Sequence, residues 1–229
     1  MIPMKNTKAD NYRGEMAASA AANCAELRRP VGDDARRLAA RITTQLGERP
    51  GETGRVILFT GLAMDAGVSL MASQCARALL DLRPGRVALL DAKFNAPDLH
   101  TRFGLPIGPG LGEALREPEA LPAAIHATPH PALTVLPAGK GGARVCYSDA
   151  ALGELFAALR RQFRFTVVDA SPLMQFISAP LIAAHADGVV LALAAGRHTR
   201  AQLREAQREV EMTRAALLGV ALYESAKVA

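Results

Sequence analysis

Apolar residues in this chain gather into short unbroken runs, and between the runs they recur with a helical period. The runs are Val56–Thr60, Val87–Leu90, Leu133–Leu136, Phe165–Val168, Val189–Leu193 and Gly219–Leu222. Runs of this length without alternation predict strands buried on both faces. The segments after them predict helices over Ser69–Leu82, Leu111–Leu115, Leu121–Ala127, Asp149–Arg161, Pro180–His185 and Thr199–Ala216. One more helix is predicted ahead of the first strand, from the acidic cap Asp33 or Asp34 to Leu46. Leu38, Ile42 and Leu46 form its apolar stripe, and Arg36, Arg37 and Arg41 lie off it. Regular alternation of strand and helix predicts an α/β fold: a doubly wound, mainly parallel sheet with helices on both faces. Residues 1–30 show no clean period and end at Pro30, so they are expected to form a disordered or flexible arm ahead of a single domain over residues 31–229. Residues 47–54 read as a turn-rich linker.

Composition narrows the class. The 229 residues are 50% hydrophobic and 21% charged, ordinary for a globular protein of one α/β domain. Trp is absent and aromatic residues total 4%, so the core is aliphatic. A net charge of +5 would suit an anionic partner. Much of it, however, is Arg spread through helical segments with Glu nearby, which favours solvated helix faces; no nucleic acid is expected as a partner. Cys24, Cys75 and Cys146 stand far apart, without the spacing of a zinc site or a disulfide framework, and a reducing cytoplasm fits them best. The N-terminus lacks the basic-then-apolar order of a secretory signal, and no apolar run approaches the ~20 residues that cross a bilayer.

Candidate chemistry lies where strands end, since ligands of doubly wound sheets bind at the carboxyl ends of the strands. After the first strand, Gly67 and Ser69 stand as in a phosphate-binding loop, but Leu62 replaces its first glycine and Val68 its lysine. Asp91 and Asp169 each follow an apolar strand, where a carboxylate would hold a metal-bound water or activate a hydroxyl beside phosphates. Plainer roles stand beside these. Ser69 would also serve as a helix cap, His100 and His126 as ordinary polar contacts, and Cys75 as a small core residue. No Ser-His-Asp or Cys-His arrangement is recognisable.

The run VALLDAKFNAPDLHTRFGLPIGPGLGEAL resembles a segment of the bacterial tyrosine autokinases of polysaccharide synthesis, the BY-kinases, within the MinD-like and ParA-like phosphate-loop class. Pro97, Leu99-His100, Phe103-Gly104-Leu105 and Gly110-Leu111 stand where that pattern has them. Leu136-Pro137-Ala138-Gly139, FTVVDASPL and ADGVVLALAAGRHTR are similar to later family segments, so the likeness covers roughly residues 34–222. It implies a phosphate-loop fold, a magnesium site at Ser69, Asp91 and Asp169, and catalytic carboxylates at Asp91 and Asp169 if the chain is active.

The departures fall on the same site. Asp65 stands where a glycine approaches phosphate, Val68 replaces the lysine, and Lys93 replaces the second aspartate of an Asp-x-Asp pair. Asn95 replaces an arginine, and Tyr223 the asparagine implied to meet adenine. Asp65, Gly67, Val68, Ser69, Lys93 and Tyr223 thus form a vestigial nucleotide site. A charge-assisted contact is worth about 1.5–3 kcal/mol, so losing the lysine while gaining Asp65 works against a triphosphate. No cofactor is expected, or Mg-ATP if the site still functions. Lys93 is expected to reach between Asp91 and Asp169 in place of the missing cation, because buried carboxylates need a partner. The family's Glu-x-x-Arg-x-x-Arg oligomer motif survives in part as Asp34, Arg37 and Arg41, a solvated face or an oligomer or partner surface.

The resemblance implies a degenerate, kinase-like accessory protein of exopolysaccharide or capsule synthesis and export. It would sit in the cytoplasm, peripheral at the inner membrane through a membrane-bound co-polymerase or export protein, and possible self-association comes with the oligomer motif. The alternative is a divergent ATP-binding tyrosine kinase or ATPase of the same pathway. A weaker one is a ParA-like or MinD-like positioning protein, which salt-dependent DNA binding would support.

Overall fold

Alternate residues of the central strands point to opposite faces of one sheet, and different helices cover the two faces. In β1 (Arg55–Thr60), Val56 and Leu58 join one core layer while Ile57 and Phe59 join the other. The computed structural model describes residues 27, 29–47, 53–140 and 148–224. Nearly all of the arm expected over residues 1–30 lies outside them, as do Cys24, Cys146 and most of the 47–54 linker.

The other strands are β2 (Val87–Ala92), β3 (His126–Ala127), β4 (Leu133–Leu136), β5 (Phe165–Ala170), β6 (Gly188–Ala194) and β7 (Ala216–Tyr223). Their order is β3-β4-β2-β5-β1-β6-β7, parallel throughout except for the β3–β4 pair. One face is covered by α1 (Asp33–Leu46), α2 (Ala66–Leu82) and α3 (Leu99–Phe103), which insert Ile42, Leu79 and Phe103. The other takes α4 (Leu111–Arg116), α5 (Leu121–Ala124), α6 (Asp149–Gln162), α7 (Ser178–Ala183) and α8 (Arg200–Met212), led by Phe156, Leu159 and Val210. Leu58, Phe59, Leu89, Leu90 and Val167 are fully buried. Each side chain of this kind contributes about 1.5–3 kcal/mol, which is why unbroken apolar runs form the middle of the sheet.

Several element ends differ from the sequence reading. Helix α2 starts at Ala66 rather than Ser69, because Asp65 caps it. The helix expected over 121–127 stops at Ala124, and His126–Ala127 pairs antiparallel with β4 instead. The helix expected over 199–216 ends at Met212; Arg214 then takes a left-handed conformation with φ 68°, and β7 begins at Ala216. The short helix α3 was not predicted. No helix among the described residues is long and apolar enough to cross a membrane.

Candidate functional site

Strand register brings the candidate residues together. Asp91 of β2 is level with Asp169 of β5, and Phe59, near the end of β1, lies level with Asp169 on its other side. The loop from β1 into α2 therefore opens beside both carboxylates. Asp65 begins α2, its side chain accepting a hydrogen bond from Gly67 N–H at 2.8 Å. Ser69 is consequently no cap: it is buried in the first turn. Val68 is 3% exposed and packs into the α1–α2 core layer, so the side chain at the lysine position joins that layer.

Tyr223, at the end of β7, closes over this loop. A Cβ added to Gly67 would lie 2.1 Å from the tyrosine Cε2, so the ring rests directly on the glycine backbone. Its hydroxyl is hydrogen-bonded to Asp65, and partial burial together with that carboxylate pushes the phenol pKa up.

Asp91 and Asp169 are both fully buried. Asp91 accepts three backbone N–H groups, from Lys93, Asp98 and Leu99, each at 3.0 Å, and so anchors the start of α3. Burial still pushes its carboxyl pKa up. Asp169 has no hydrogen bond of good geometry. Its contact is the Lys93 ammonium at 3.3 Å, and burial outweighs that charge and pushes the carboxyl up to about 7.

The Lys93 ammonium, on a residue 5% exposed, donates to Ser69 Oγ and to Asp98 Oδ1, the latter at 2.9 Å. It therefore reaches Asp169 and turns to Asp98, not to the Asp91 carboxylate. Asp98 also takes Arg102 Nε at 2.9 Å. Burial opposes ionisation of Asp98, but Lys93 and Arg102 outweigh it and hold the carboxyl below its ordinary range. Burial likewise opposes the charge on Lys93, and Asp169 and Asp98 outweigh it, raising the amine pKa. Asp98 was missed in the sequence; its signal was the i,i+4 pair with Arg102 directly after Pro97.

These residues do not fit a magnesium nucleotide. The hydroxyl and carboxylate that would share the ion, Ser69 and Asp169, both contact an ammonium. Both Asp91 oxygens are engaged by backbone N–H groups, and Asp65 puts negative charge at the loop. No cluster of three His, Cys, Asp or Glu side chains able to hold a metal occurs among the described residues.

The remaining candidates lie apart. Asp34, Arg37 and Arg41 are exposed on α1, with Arg37 and Asp34 4.0 Å apart. His126 bonds the Pro109 carbonyl at 2.8 Å, His100 bonds Thr101 at 3.2 Å, and Cys75 is buried, its thiol pushed up to about 12.

No family model matches the chain. It is 28% identical over 180 residues to the succinoglycan biosynthesis transport protein ExoP of Rhizobium meliloti (strain 1021), covering 76% of this chain and 23% of ExoP. It is also 28% identical over 152 residues to the tyrosine-protein kinase ptk of Acinetobacter johnsonii, covering 66% of this chain and 20% of that kinase. The chain thus spans about a quarter or less of these relatives. Among solved structures, the kinase domain of Escherichia coli tyrosine kinase ETK superposes with a TM-score of 0.74 at 18% identity, covering 85% of this chain and 76% of that one. A plasmid partition protein from Borrelia burgdorferi gives 0.60 at 16% identity, covering 77% and 82%. The chain is thus similar in sequence to a succinoglycan biosynthesis transport protein and a bacterial tyrosine-protein kinase, and it shares the fold of a tyrosine kinase domain and of a plasmid partition protein.

Proposed function

We propose that the chain is a non-catalytic, kinase-like accessory protein of exopolysaccharide or capsule synthesis and export. It acts in the cytoplasm through protein contacts with a membrane-bound co-polymerase or export protein. The observation that carries this reading is the Lys93 ammonium, in contact with both Ser69 and Asp169, the pair a magnesium ion would bridge. A fixed cation there supplies the charge the carboxylate needs without any ligand, and a scaffold needs the surface of the fold rather than its metal. The exposed α1 residues Asp34, Arg37 and Arg41 are the surface proposed for a partner or a second copy.

Calorimetric titration with Mg-ATP tests it, with no saturable heat expected at millimolar nucleotide. Micromolar binding that Asp169→Ala abolishes would sink the reading. It would favour the second one, a divergent ATP-binding tyrosine kinase or ATPase using Asp91, Asp169 and Ser69. What supports that alternative is the convergence of all three buried side chains behind Gly67.

A further inference from the structure

At the opposite end of the sheet, where the strands begin, six arginines line a cavity of about 520 Å³: Arg55, Arg83, Arg86, Arg160, Arg161 and Arg164. Among the described residues no carboxylate lines it. Its volume is that of an ordinary small-molecule site, about 300–1,000 Å³.

Register explains the gathering. Arg55 and Val87 are each level with Phe165, so Arg55, Arg86 and Arg164 stand at the starts of three adjacent parallel strands. The backbone clasps this row rigidly: Arg55 N–H donates to the Arg164 carbonyl at 2.9 Å, and Arg164 N–H to that of Arg86 at 2.9 Å. Gly54 fits here because a Cβ would lie 1.9 Å from the Phe163 carbonyl oxygen.

Five of the six arginines fall into two kinds. Arg55 and Arg160 are scaffold. Arg55 donates to the Leu46 and Gly47 carbonyls, Arg160 to the His185 carbonyl at 2.9 Å, and both meet Asp187 behind the cavity, at 3.7 and 2.8 Å. Arg86, Arg161 and Arg164 are exposed and have no ion pair among the described residues; Arg86 lies over the Phe163 ring, 4.8 Å from its centroid. A basic residue at a helix end needs no ligand, because it answers the helix dipole. That accounts for Arg160 and Arg161 in the last turn of α6 and for Arg83 at the end of α2. It does not account for Arg86 and Arg164, which precede strands and set like charges side by side.

We propose that this cavity binds a diphosphate group, carried by a soluble molecule or by a lipid headgroup. Planar guanidinium forks match phosphate oxygens two at a time, and converging forks suit a doubly or triply charged anion better than a single carboxylate. The proposal is independent of the reading of the Lys93 site.

The test has two probes, inorganic pyrophosphate in a calorimeter and vesicles of phosphatidylcholine doped with diacylglycerol pyrophosphate in a sedimentation assay. Saturable binding is expected, weakened about tenfold by Arg86→Gln or Arg164→Gln, the scale of one charge-assisted contact. Arg164→Lys should lose less, and Arg204→Gln on α8, which removes the same charge elsewhere, nothing. Circular dichroism checks that the variants fold. Binding of pyrophosphate alone assigns a soluble ligand, and arginine-dependent sedimentation with doped vesicles alone assigns a lipid. Absence of saturable binding to either probe overturns the proposal, as does equal weakening by Arg204→Gln.

Discussion

Lys93 is the residue on which the site's electrostatics rest. Replacing it with Met would leave Asp169 buried without its one charge partner among the described residues and take from Asp98 a cation that it shares with Arg102. Breaking a buried pair from one side costs about 3–5 kcal/mol, so Lys93→Met is expected to lower the urea-unfolding free energy by that amount. A loss below about 1 kcal/mol would mean that the pair has no more weight than a surface ion pair. Asp169 adds a pH signature. Its carboxyl rises from an ordinary value of 3.8 to about 7, so in that window the folded chain holds a proton that the unfolded chain has released. This contribution is whole below about pH 4 and is lost as the pH rises through about 7. Stability is expected to fall between about pH 4 and about pH 7, and Asp169→Asn should flatten the fall; an equally steep fall in the variant would remove Asp169 as its source. Asp98, whose carboxyl is held low, works in the opposite direction and weakens the fold only in acid. Asp91 and Asp169 were legible in the sequence because each follows an apolar run, and Ser69 because it stands two residues after Gly67 in the frame of a phosphate loop. Asp98 was not: its i,i+4 pair with Arg102 marks a short helix, but nothing in the sequence says that the chain after β2 turns back to place it beside Lys93.

At the scale of elements, the strands were readable because a strand buried on both faces must be apolar throughout. Helix ends were less so, because they depend on single caps and turns. Asp65 was read as an intruder in a phosphate loop, yet it is also the N-cap of α2, and its carboxylate serves both Gly67 and Tyr223. Asp65→Ala is expected to cost about 1 kcal/mol in unfolding free energy, the worth of an N-cap. It should also bring the Tyr223 phenol down toward its ordinary pKa, read by ultraviolet titration; an unmoved phenol would mean that burial alone holds it high. The contact of β7 with the first loop was legible only through the family resemblance, which put Tyr223 at the same site as Asp65 and Gly67; no local pattern shows it, because β1 and β7 are distant in sequence and β6 lies between them in the sheet. The two-residue β3 is too short to show any periodicity.

Across the described residues, Asp91, Asp98 and Asp169 gather where the strands finish and six arginines where they start, an arrangement that a summed charge of +5 conceals. Under the proposed reading, a lysine restored at one position does not restore nucleotide binding. Val68→Lys is expected to destabilise the fold, since it puts an ammonium into an aliphatic layer, and to leave Mg-ATP binding absent because Lys93 still contacts Ser69 and Asp169. Recovery of nucleotide binding by that single change would show the cation at Ser69 to be displaceable. The backbone bonds of Asp91 bear on how any phenotype should be interpreted. Its carboxylate fixes the start of α3, so Asp91→Ala would misplace a helix whether or not the chain ever transfers a phosphate. If the chain has the proposed role, loss of polysaccharide with that allele would not distinguish lost architecture from lost chemistry, and genetics designed around Asp169→Asn would separate the two.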